Sequence, residues 1–433
     1  MKRLLLPAAF AAGCAAPSTP PLPPGADDAI NAPLATAVDA ELPALLDLYR
    51  WFHANPELSL KEEKTAARFA AEVRAAGWTV TERIGGTGVV AVLRNGEGPA
   101  VLARIDMDGL PIKEETGLPY ASVNGAMHAC GHDLHLAAGI GFARALAKLR
   151  DRWAGTVILV GQPAEEVGLG AKNMIDDPGF AKAVDVRPVA CLSIHDTPAF
   201  PAGTISLCPG FSSANADSVD IRIFGRGGHG AWPHQTVDPV VIAAEMVLAF
   251  QTIVSRKTNP TSPAVVTVGS IHGGSKHNII PDEVALQLTL RSYDDGVRAA
   301  LLDEIRHVAK AVAETHHAPR APEVRVQENG FPAVYHDPGL TERLHAVFGR
   351  QFGEGQVKAA SAAMGAEDFG RFAKHFNAPG LQIGIGGAGA APAGVGLHSS
   401  KWAPLPEPTL RNAVLALSRA CLDLVNAGEP HQR

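Results

Sequence analysis

Hydrophobic residues recur along this chain at two different spacings. Stretches with apolar residues three or four positions apart predict helices, and short apolar runs rich in β-branched residues predict strands. The predicted helices are 42–52, 62–76 and 134–149, and the predicted strands are 89–93, 100–105, 156–160 and 189–194. Strands that alternate with helices favour an α/β fold with a mostly parallel sheet flanked by helices.

The pattern changes after Gly210, where apolar and polar residues begin to alternate. Predicted strands at 219–224, 265–268 and 284–290 stand beside predicted helices at 239–254 and 297–315. This pattern is typical of a separate α+β domain, which we place at 211–328. The earlier pattern resumes with predicted elements at 340–352, 381–385 and 409–427. The first domain would therefore be discontinuous, with parts at 41–210 and 329–428.

The N-terminus has the pattern of an export signal. Lys2 and Arg3 precede an apolar run, 4–12, that is too short to span a bilayer. The run leads into Ala-Ala-Gly-Cys, which resembles a bacterial lipobox with Cys14 as the lipidated residue. We expect residues 1–14 to be a signal peptide and 15–40 a flexible linker, in a periplasmic or cell-envelope lipoprotein. Plain signal-peptidase cleavage and a cytosolic protein are the alternatives.

Composition narrows the choice of partner. The chain has 433 residues, 46% of them hydrophobic, and a formal net charge of −6. No basic stripe is visible, so we expect no nucleic-acid partner. The 5 cysteines are too sparse for a disulfide scaffold.

Potential metal ligands are concentrated in one short segment, 127–135. It reads Met-His-Ala-Cys-Gly-His-Asp-Leu-His, a crowding of thiol and imidazole groups that indicates a transition-metal site. A buried cysteine among solvated histidines is the alternative. Cys130 and His132 are the strongest ligand candidates, because a C-x-H step can direct both side chains to one side of a turn.

Polar residues also follow three of the predicted strands, at the carboxyl ends where open α/β sheets place their sites. They are Asp106, Asp108, Glu165, Glu166, His195 and Asp196. Together with Cys130, His132 and the late His398, they could hold two metal ions that clamp a water and the carbonyl it attacks. The donor set favours Zn²⁺ and would also accept Mn²⁺, Co²⁺ or Ni²⁺.

Individual roles can be suggested for several of these residues. One of the adjacent acids Glu165 and Glu166 could bind metal while the other transfers a proton to the leaving nitrogen. Asp108 could orient a ligand imidazole, or only cap a turn. In the inserted domain, His229 lies in a glycine-rich loop and could stabilise an oxyanion, and Arg291 suits capture of a substrate carboxylate.

These segments resemble a known family. The chain is similar, from about residue 42 to 427, to the dinuclear-metal aminoacylase/carboxypeptidase peptidase superfamily. Within it, the chain resembles the amidohydrolase branch of hippurate, N-acyl-amino-acid and auxin-conjugate hydrolases. The resemblance is carried by the segments 106–111, 127–135, 162–166, 228–234, 278–281, 364–369 and 397–398.

The resemblance implies a residue-by-residue assignment. The two metals would be bound by Cys130, His132, Glu166, His195 and His398. Glu165 would be the general base and acid, Asp108 would orient a ligand, and His229 would act across a homodimer formed by 211–328. Asn278 and Arg291 would hold substrate, whereas no role is implied for Glu367. The expected activity is metal-dependent hydrolysis of N-acyl amino acids or small peptides. The alternatives are a carboxypeptidase or dipeptidase of the same superfamily and a non-catalytic binding lipoprotein.

Overall fold

The computed structural model describes residues 26–389 and 394–426. The strands are β1 (Thr79–Ile84), β2 (Gly88–Asn95), β3 (Ala100–Asp106), β4 (Gly155–Gln162), β5 (Ala190–Pro201), β6 (Ile205–Leu207), β7 (Gly210–Ser213), β8 (Asn215–Phe224), β9 (Gly228–His229), β10 (Ala264–Gly273), β11 (Ile279–Ile280), β12 (Glu283–Ser292), β13 (Glu323–Val326), β14 (Val334–His336), β15 (Val357–Ala359) and β16 (Gly380–Ala388). The helices are α1 (Ala26–Ala54), α2 (Glu63–Ala75), α3 (His132–Lys148), α4 (Gly170–Asp176), α5 (Pro178–Ala183), α6 (Pro239–Thr252), α7 (Asp295–Thr315), α8 (Pro338–Phe352), α9 (Gly370–Phe376) and α10 (Pro406–Val425).

The larger body is built on one sheet with the strand order β1-β2-β4-β3-β5-β16-β6-β15. Its centre, β4-β3-β5-β16, is parallel, and antiparallel pairs flank that centre on both sides. Strands β3 and β4 are apolar along most of their length because both faces of the sheet are covered. This confirms the predicted α/β class with a mostly parallel sheet between helices.

Two separate apolar layers cover the sheet. One layer contains side chains of α1, α2, α3, α8 and α10, and the other contains side chains of α4, α5 and α9. Along β3 the side chains alternate between the layers, with Val101 and Ala103 in the first and Leu102 in the second. The body therefore has three layers, and only the ends of the strands can present polar groups to a cleft.

Of the predicted linker, 15–40, residues 26–40 belong to the folded body instead. Residues 1–25, which include the predicted signal peptide, lie outside the described residues, but 26–40 form the first half of α1. Ile30, Leu34 and Val38 are buried at four-residue spacing and join the core layer shared with α3 and α10. The linker prediction is wrong there, because this apolar stripe outweighs the proline and alanine content that suggested a tether.

The end of β5 also differs from the prediction. His195 and Asp196 were expected to follow the strand that ends at Ile194. They lie within β5 instead, because pairing with β16 continues through His195↔Gly384 and Asp196↔Ile385.

The second sheet has the order β10-β12-β8-β13 and is fully antiparallel. One face packs against α6 and α7 around an apolar core of its own, which includes Ile221, Met246 and Leu286. At the junction with the larger body, β7 pairs with β14. The sheet and its two helices all come from the part of the chain that was predicted to form an inserted α+β domain.

Replacing Leu34 by alanine tests whether the start of α1 belongs to the core. Leu34 is fully buried, so Leu34→Ala should lower the free energy of unfolding by about 2–5 kcal/mol through lost burial and the cavity left behind. The exposed Thr36→Ala in the same helix should change it by no more than about 0.5 kcal/mol. Urea unfolding of both variants measures the difference. Equal, small effects would mean that this segment is a tether after all.

Candidate metal centre

The candidate residues converge at one edge of the larger sheet. Strand β3 is parallel to both β4 and β5, so their carboxyl ends lie side by side. Asp106 ends β3, Glu165 and Glu166 follow β4, and His195 lies in β5. Cys130 and His132 lie at the start of α3, which packs against these strands.

A sharp turn presents Cys130 and His132. Gly131 between them has a left-handed backbone with φ 79°, and a Cβ atom there would lie 2.1 Å from Oδ1 of Asp196. Glycine is therefore required both for the conformation and for the space. Nδ1 of His132 is 2.8 Å from the main-chain oxygen of Asp108, which directs Nε2 of the same ring to the centre of the site.

The five predicted ligands lie within reach of common metal positions. Their potential ligand atoms fall within 4.8 Å of one another in two groups, Cys130 with His132 and His195, and Cys130 with Glu166 and His398. The Cys130 Sγ atom is 3.6 Å from Nε2 of His195, and Nε2 of His398 is 3.3 Å from Oε2 of Glu166. Cys130 belongs to both groups, so it would be a ligand that the two groups share.

The chemistry of these groups fits divalent cations. Among the described residues, the buried Nε2 of His132 and Oε1 of Glu166 have no hydrogen-bond partner, a costly state unless an ion binds them. Burial, followed by the charges of Glu166 and Glu165, raises the pKa of the Cys130 thiol well above its usual value. Only a nearby cation would stabilise the thiolate that binds metal, so binding displaces the thiol proton.

Glu165 differs from its neighbour Glu166. Burial, together with the charges of Glu367 and Glu166, raises the pKa of Glu165 well above the ordinary range of a carboxyl group. Its side chain makes no hydrogen bond within the described part of the chain, whereas its main-chain N–H donates to Oδ1 of Asp108 at 3.1 Å. The N–H of Glu166 donates to the other Asp108 oxygen, also at 3.1 Å. Asp108 thus orients both acids through their backbone, in addition to contacting His132.

A buried arginine lies beneath the site. The guanidinium of Arg104 donates to Asp106 at 2.6 Å, to Glu367 at 2.9 Å and to Asp368 at 3.1 Å. The other oxygen of Asp106 is 2.6 Å from Nδ1 of His135. Both Asp106 oxygens are therefore engaged, which leaves this acid as a support for the histidines. Glu367 acquires a role here as a partner of Arg104 that also raises the pKa of Glu165.

Three predicted residues lie elsewhere. His229 lies on β9 and Asn278 directly before β11, and both are exposed; the N–H of Gly230 donates to the main-chain oxygen of Asn278 at 2.9 Å. Arg291 lies on β12, opposite Ala216 and Val265. The hydrogen bond and ring contact recorded for His229 are with the inserted domain. The structure therefore does not bring these residues to the Cys130 cluster within the described part of one chain.

Two supporting residues were missed by sequence reasoning. Arg104 is hidden inside an apolar strand, and its charge in that position was the available signal. Glu62 was assigned only to a predicted helix. Its Oε1 accepts the N–H of Ala164 at 2.8 Å, and Ala164 holds a left-handed φ of 51° directly before Glu165. No local pattern would have revealed that contact across the fold.

Comparison with known proteins agrees with this geometry. Residues 102–421 match the sequence model of peptidase family M20/M25/M40. The chain belongs to that family. It is 39% identical to the protein YhaA of Bacillus subtilis (strain 168) over 381 residues, which covers 87% of this chain and 94% of YhaA.

Two further similar proteins relate the fold to a chemical activity. N-acetyl-L-cysteine deacetylase of Bacillus subtilis (strain 168) is 37% identical over 76% of this chain and 78% of its own length. The solved structure of the Bacillus subtilis YXEP protein, described as a dinuclear metal binding peptidase, matches with a TM-score of 0.75 and 27% identity. That match covers 90% of this chain and 99% of the other. This M20 chain is accordingly a metal-dependent amide hydrolase with a two-metal centre.

Alanine at Gly131 tests whether the turn positions the metal ligands. Gly131→Ala should weaken metal binding by about 10–100-fold, because the new Cβ must displace Asp196 or the turn itself. Gly125→Ala is the matched control, since Gly125 has φ 87° but no other atom within 4 Å of the position that a Cβ would take. Titration of Zn²⁺ against a competing chelator measures both variants. Wild-type affinity in Gly131→Ala would contradict the prediction. Equal losses in both variants would indicate an effect of strain at a left-handed position instead of the contact with Asp196.

Proposed function

We propose that this protein hydrolyses the amide bond of N-acyl amino acids. The observation that carries the proposal is a buried Glu165 carboxylate, free of hydrogen-bond partners among the described residues, next to the cluster of Cys130, His132 and Glu166. A site that only stored metal would have no need of such a group. The name of the deacetylase relative supports an N-acyl amino acid as substrate.

The catalytic roles follow from this arrangement. When bound, the two ions would polarise the amide carbonyl and make a water molecule more acidic. Glu165 would accept the proton that this water loses and transfer it to the leaving nitrogen, for which a raised pKa suits a carboxyl group. Asp108 would hold Glu165 in place through its backbone N–H. The donor set suits Zn²⁺ and also Mn²⁺, Co²⁺ or Ni²⁺.

The inserted domain would supply the groups that hold substrate. Arg291 is partly buried, and among the described residues its guanidinium has no hydrogen-bond partner, so it is available for a substrate carboxylate. Asn278 and His229 are exposed at the paired strands β9 and β11. His229 would stabilise the oxyanion of the attacked carbonyl from a second copy of the chain.

A homodimer through the inserted domain is supported by its apolar surface. Helix α6 continues as a π-helical turn, Ile253–Lys257. Together, Pro239–Lys257 is the one helical stretch of the described residues that is long and apolar enough to cross a membrane, yet Ile242, Met246 and Phe250 pack into the domain core. The opposite side of this helix exposes Val241 and Leu248. Beside it, β10 is an edge strand with unpaired backbone groups. A second copy could cover both.

A charged residue on this surface tests the dimer. Leu248 is 72% exposed, so Leu248→Glu should leave the fold intact but dissociate the dimer, which sedimentation velocity would detect. Loss of His229 from the partner should then lower kcat by about 10²–10³-fold. Val189→Glu, on the larger body, is the control and should stay dimeric. A fully active monomer would contradict action of His229 in trans.

Replacing the proposed general base tests the reaction. Glu165→Gln keeps the size of the side chain but cannot accept the proton, so kcat should fall by about 10²–10⁴-fold while both ions remain bound. Metal content and hydrolysis of N-acetyl and N-benzoyl amino acids are measured on the same preparation, with dipeptides alongside. The exposed Glu97→Gln serves as control. Unchanged turnover would remove Glu165 from the mechanism, and faster dipeptide cleavage would identify a peptidase.

Export and lipid anchoring remain part of the proposal. The supporting features are Lys2, Arg3, the apolar run 4–12 and Cys14 in the sequence. Cys14 lies outside the described residues. A lipid on Cys14 would hold the enzyme at the cell envelope, facing substrates that enter from outside.

Metabolic labelling with a radioactive fatty acid tests the anchor. The wild-type chain expressed in a bacterial host should take up label and sediment with membranes, whereas Cys14→Ser should take up none, because the acylated thiol is gone. Cys208→Ser removes a cysteine of the folded body and should still be labelled. Label that persists in Cys14→Ser would refute the anchor.

A further inference from the structure

His53 lies in the last turn of α1, and no metal-binding motif includes it. Its ring is 1% exposed and lies between two carboxylates. Nδ1 is 2.6 Å from Oδ2 of Asp133, and Nε2 is 2.9 Å from Oε1 of Glu114. Both carboxylate side chains are fully buried as well. Despite burial, hydrogen bonds from His53 lower the pKa of Asp133 and that of Glu114, which favours the ionised form of both acids. A ring between two ionised carboxylates donates at both nitrogens, so it carries a proton on each.

The charge balance of this cluster agrees with that protonation. Burial alone would lower the pKa of His53, but hydrogen bonds to Asp133 and Glu114 raise it to about 10. Without the imidazolium, two carboxylates would be left in the interior with no cation between them. Uncompensated buried charge is strongly unfavourable, so loss of His53 would remove the partner that holds the Asp133 carboxylate in place.

Asp133 connects this cluster to the metal centre. It follows His132 directly, and its Oδ1 accepts the N–H of Leu134 at 2.9 Å in the first turn of α3. One oxygen thus holds the helix start, while the other is held by α1 through His53. Since the preceding Gly131 has a left-handed backbone, the direction of the Cys130–His132 turn depends on where Asp133 is held.

Glu114 secures the other side of His53. Its Oε2 accepts the N–H of Ser122 at 2.6 Å, and its Oε1 also accepts the hydroxyl of Thr116. Glu114 therefore ties the ring to the loop that precedes the metal-binding segment, and none of its hydrogen bonds within the described part of the chain reaches that segment. The two acids should consequently differ in their effect on the metals.

We propose that His53 is a positioning residue that fixes the Cys130–His132 turn, and with it the geometry of the metal centre, by holding the Asp133 carboxylate. The inference rests on the two-metal centre and not on which amide is cleaved. A failed substrate screen would therefore leave it standing, and its test uses metal binding alone.

The test compares His53→Leu with a matched variant of the same helix. Leu45→Ala also removes a fully buried side chain of α1 that packs against α3, at Gly141 and away from the metal-binding turn. The full-length protein is stripped of metal and titrated with Zn²⁺ or Co²⁺ against a chelator. His53→Leu should raise the Kd by about 10–100-fold, and Leu45→Ala should leave it within about twofold. The thiolate-to-Co²⁺ absorption band, which reports the surroundings of the Cys130 sulfur, should shift only in His53→Leu.

The two acids provide the second arm, which also serves if His53→Leu does not fold. Asp133→Asn should weaken Co²⁺ binding as much as His53→Leu, and the double variant should be no worse than either, since both act through one contact. Glu114→Gln should change the Kd several-fold less. Wild-type affinity and an unshifted band in both His53→Leu and Asp133→Asn would overturn the proposal. Equal losses in Leu45→Ala and His53→Leu would do the same, because they would indicate general destabilisation.

Discussion

The arrangement of the site depends on one buried cation, the guanidinium of Arg104. It lies at the carboxyl end of β3 and is enclosed by Asp106, Glu367 and Asp368. A charge in the interior is tolerated only when its partners compensate it. Removing any one of these groups would leave the others as uncompensated buried charges. The position of each acid is therefore set by the arginine, and that of the arginine by the acids.

From this cation, contacts extend to the ligands. Asp106 holds Nδ1 of His135, and Nε2 of His135 accepts the N–H of Asp196 at 3.0 Å. Asp196 is the neighbour of His195 in β5 and also contacts the Gly131 turn. Gln382 of β16 donates to Glu367 at 2.7 Å on the far side. One network thus joins strands β3, β5 and β16, so the candidate ligands from different parts of the chain are held against a common support.

How much of this could be predicted depends on the distance in sequence over which each feature is encoded. The eight longest described strands, most helices and the candidate ligands were predictable, because apolar periodicity and the dense Cys/His segment are local. The shorter strands were not predicted. The hydrogen bonds of Glu62 with Ala164 and of His53 with Asp133 were not predictable, because each joins residues that are far apart in sequence. The linker prediction failed at 26–40 for a different reason. There, proline and alanine content was given more weight than the four-residue spacing of Ile30, Leu34 and Val38.

The inserted domain was predictable as a fold but not as a part of the metal centre. Its sheet and helices were predictable from alternation, but His229, Asn278 and Arg291 are not brought to the metal ligands within the described part of a single copy. By itself, the sequence determined the fold class, the kind of chemistry and the candidate metal ligands, since these follow from residue types and short-range spacing. Only the tertiary structure showed that the Glu165 side chain has no hydrogen-bond partner among the described residues, and that Asp106 and Asp108 support the histidines. Both features depend on burial and on hydrogen-bond partners supplied by distant strands and helices.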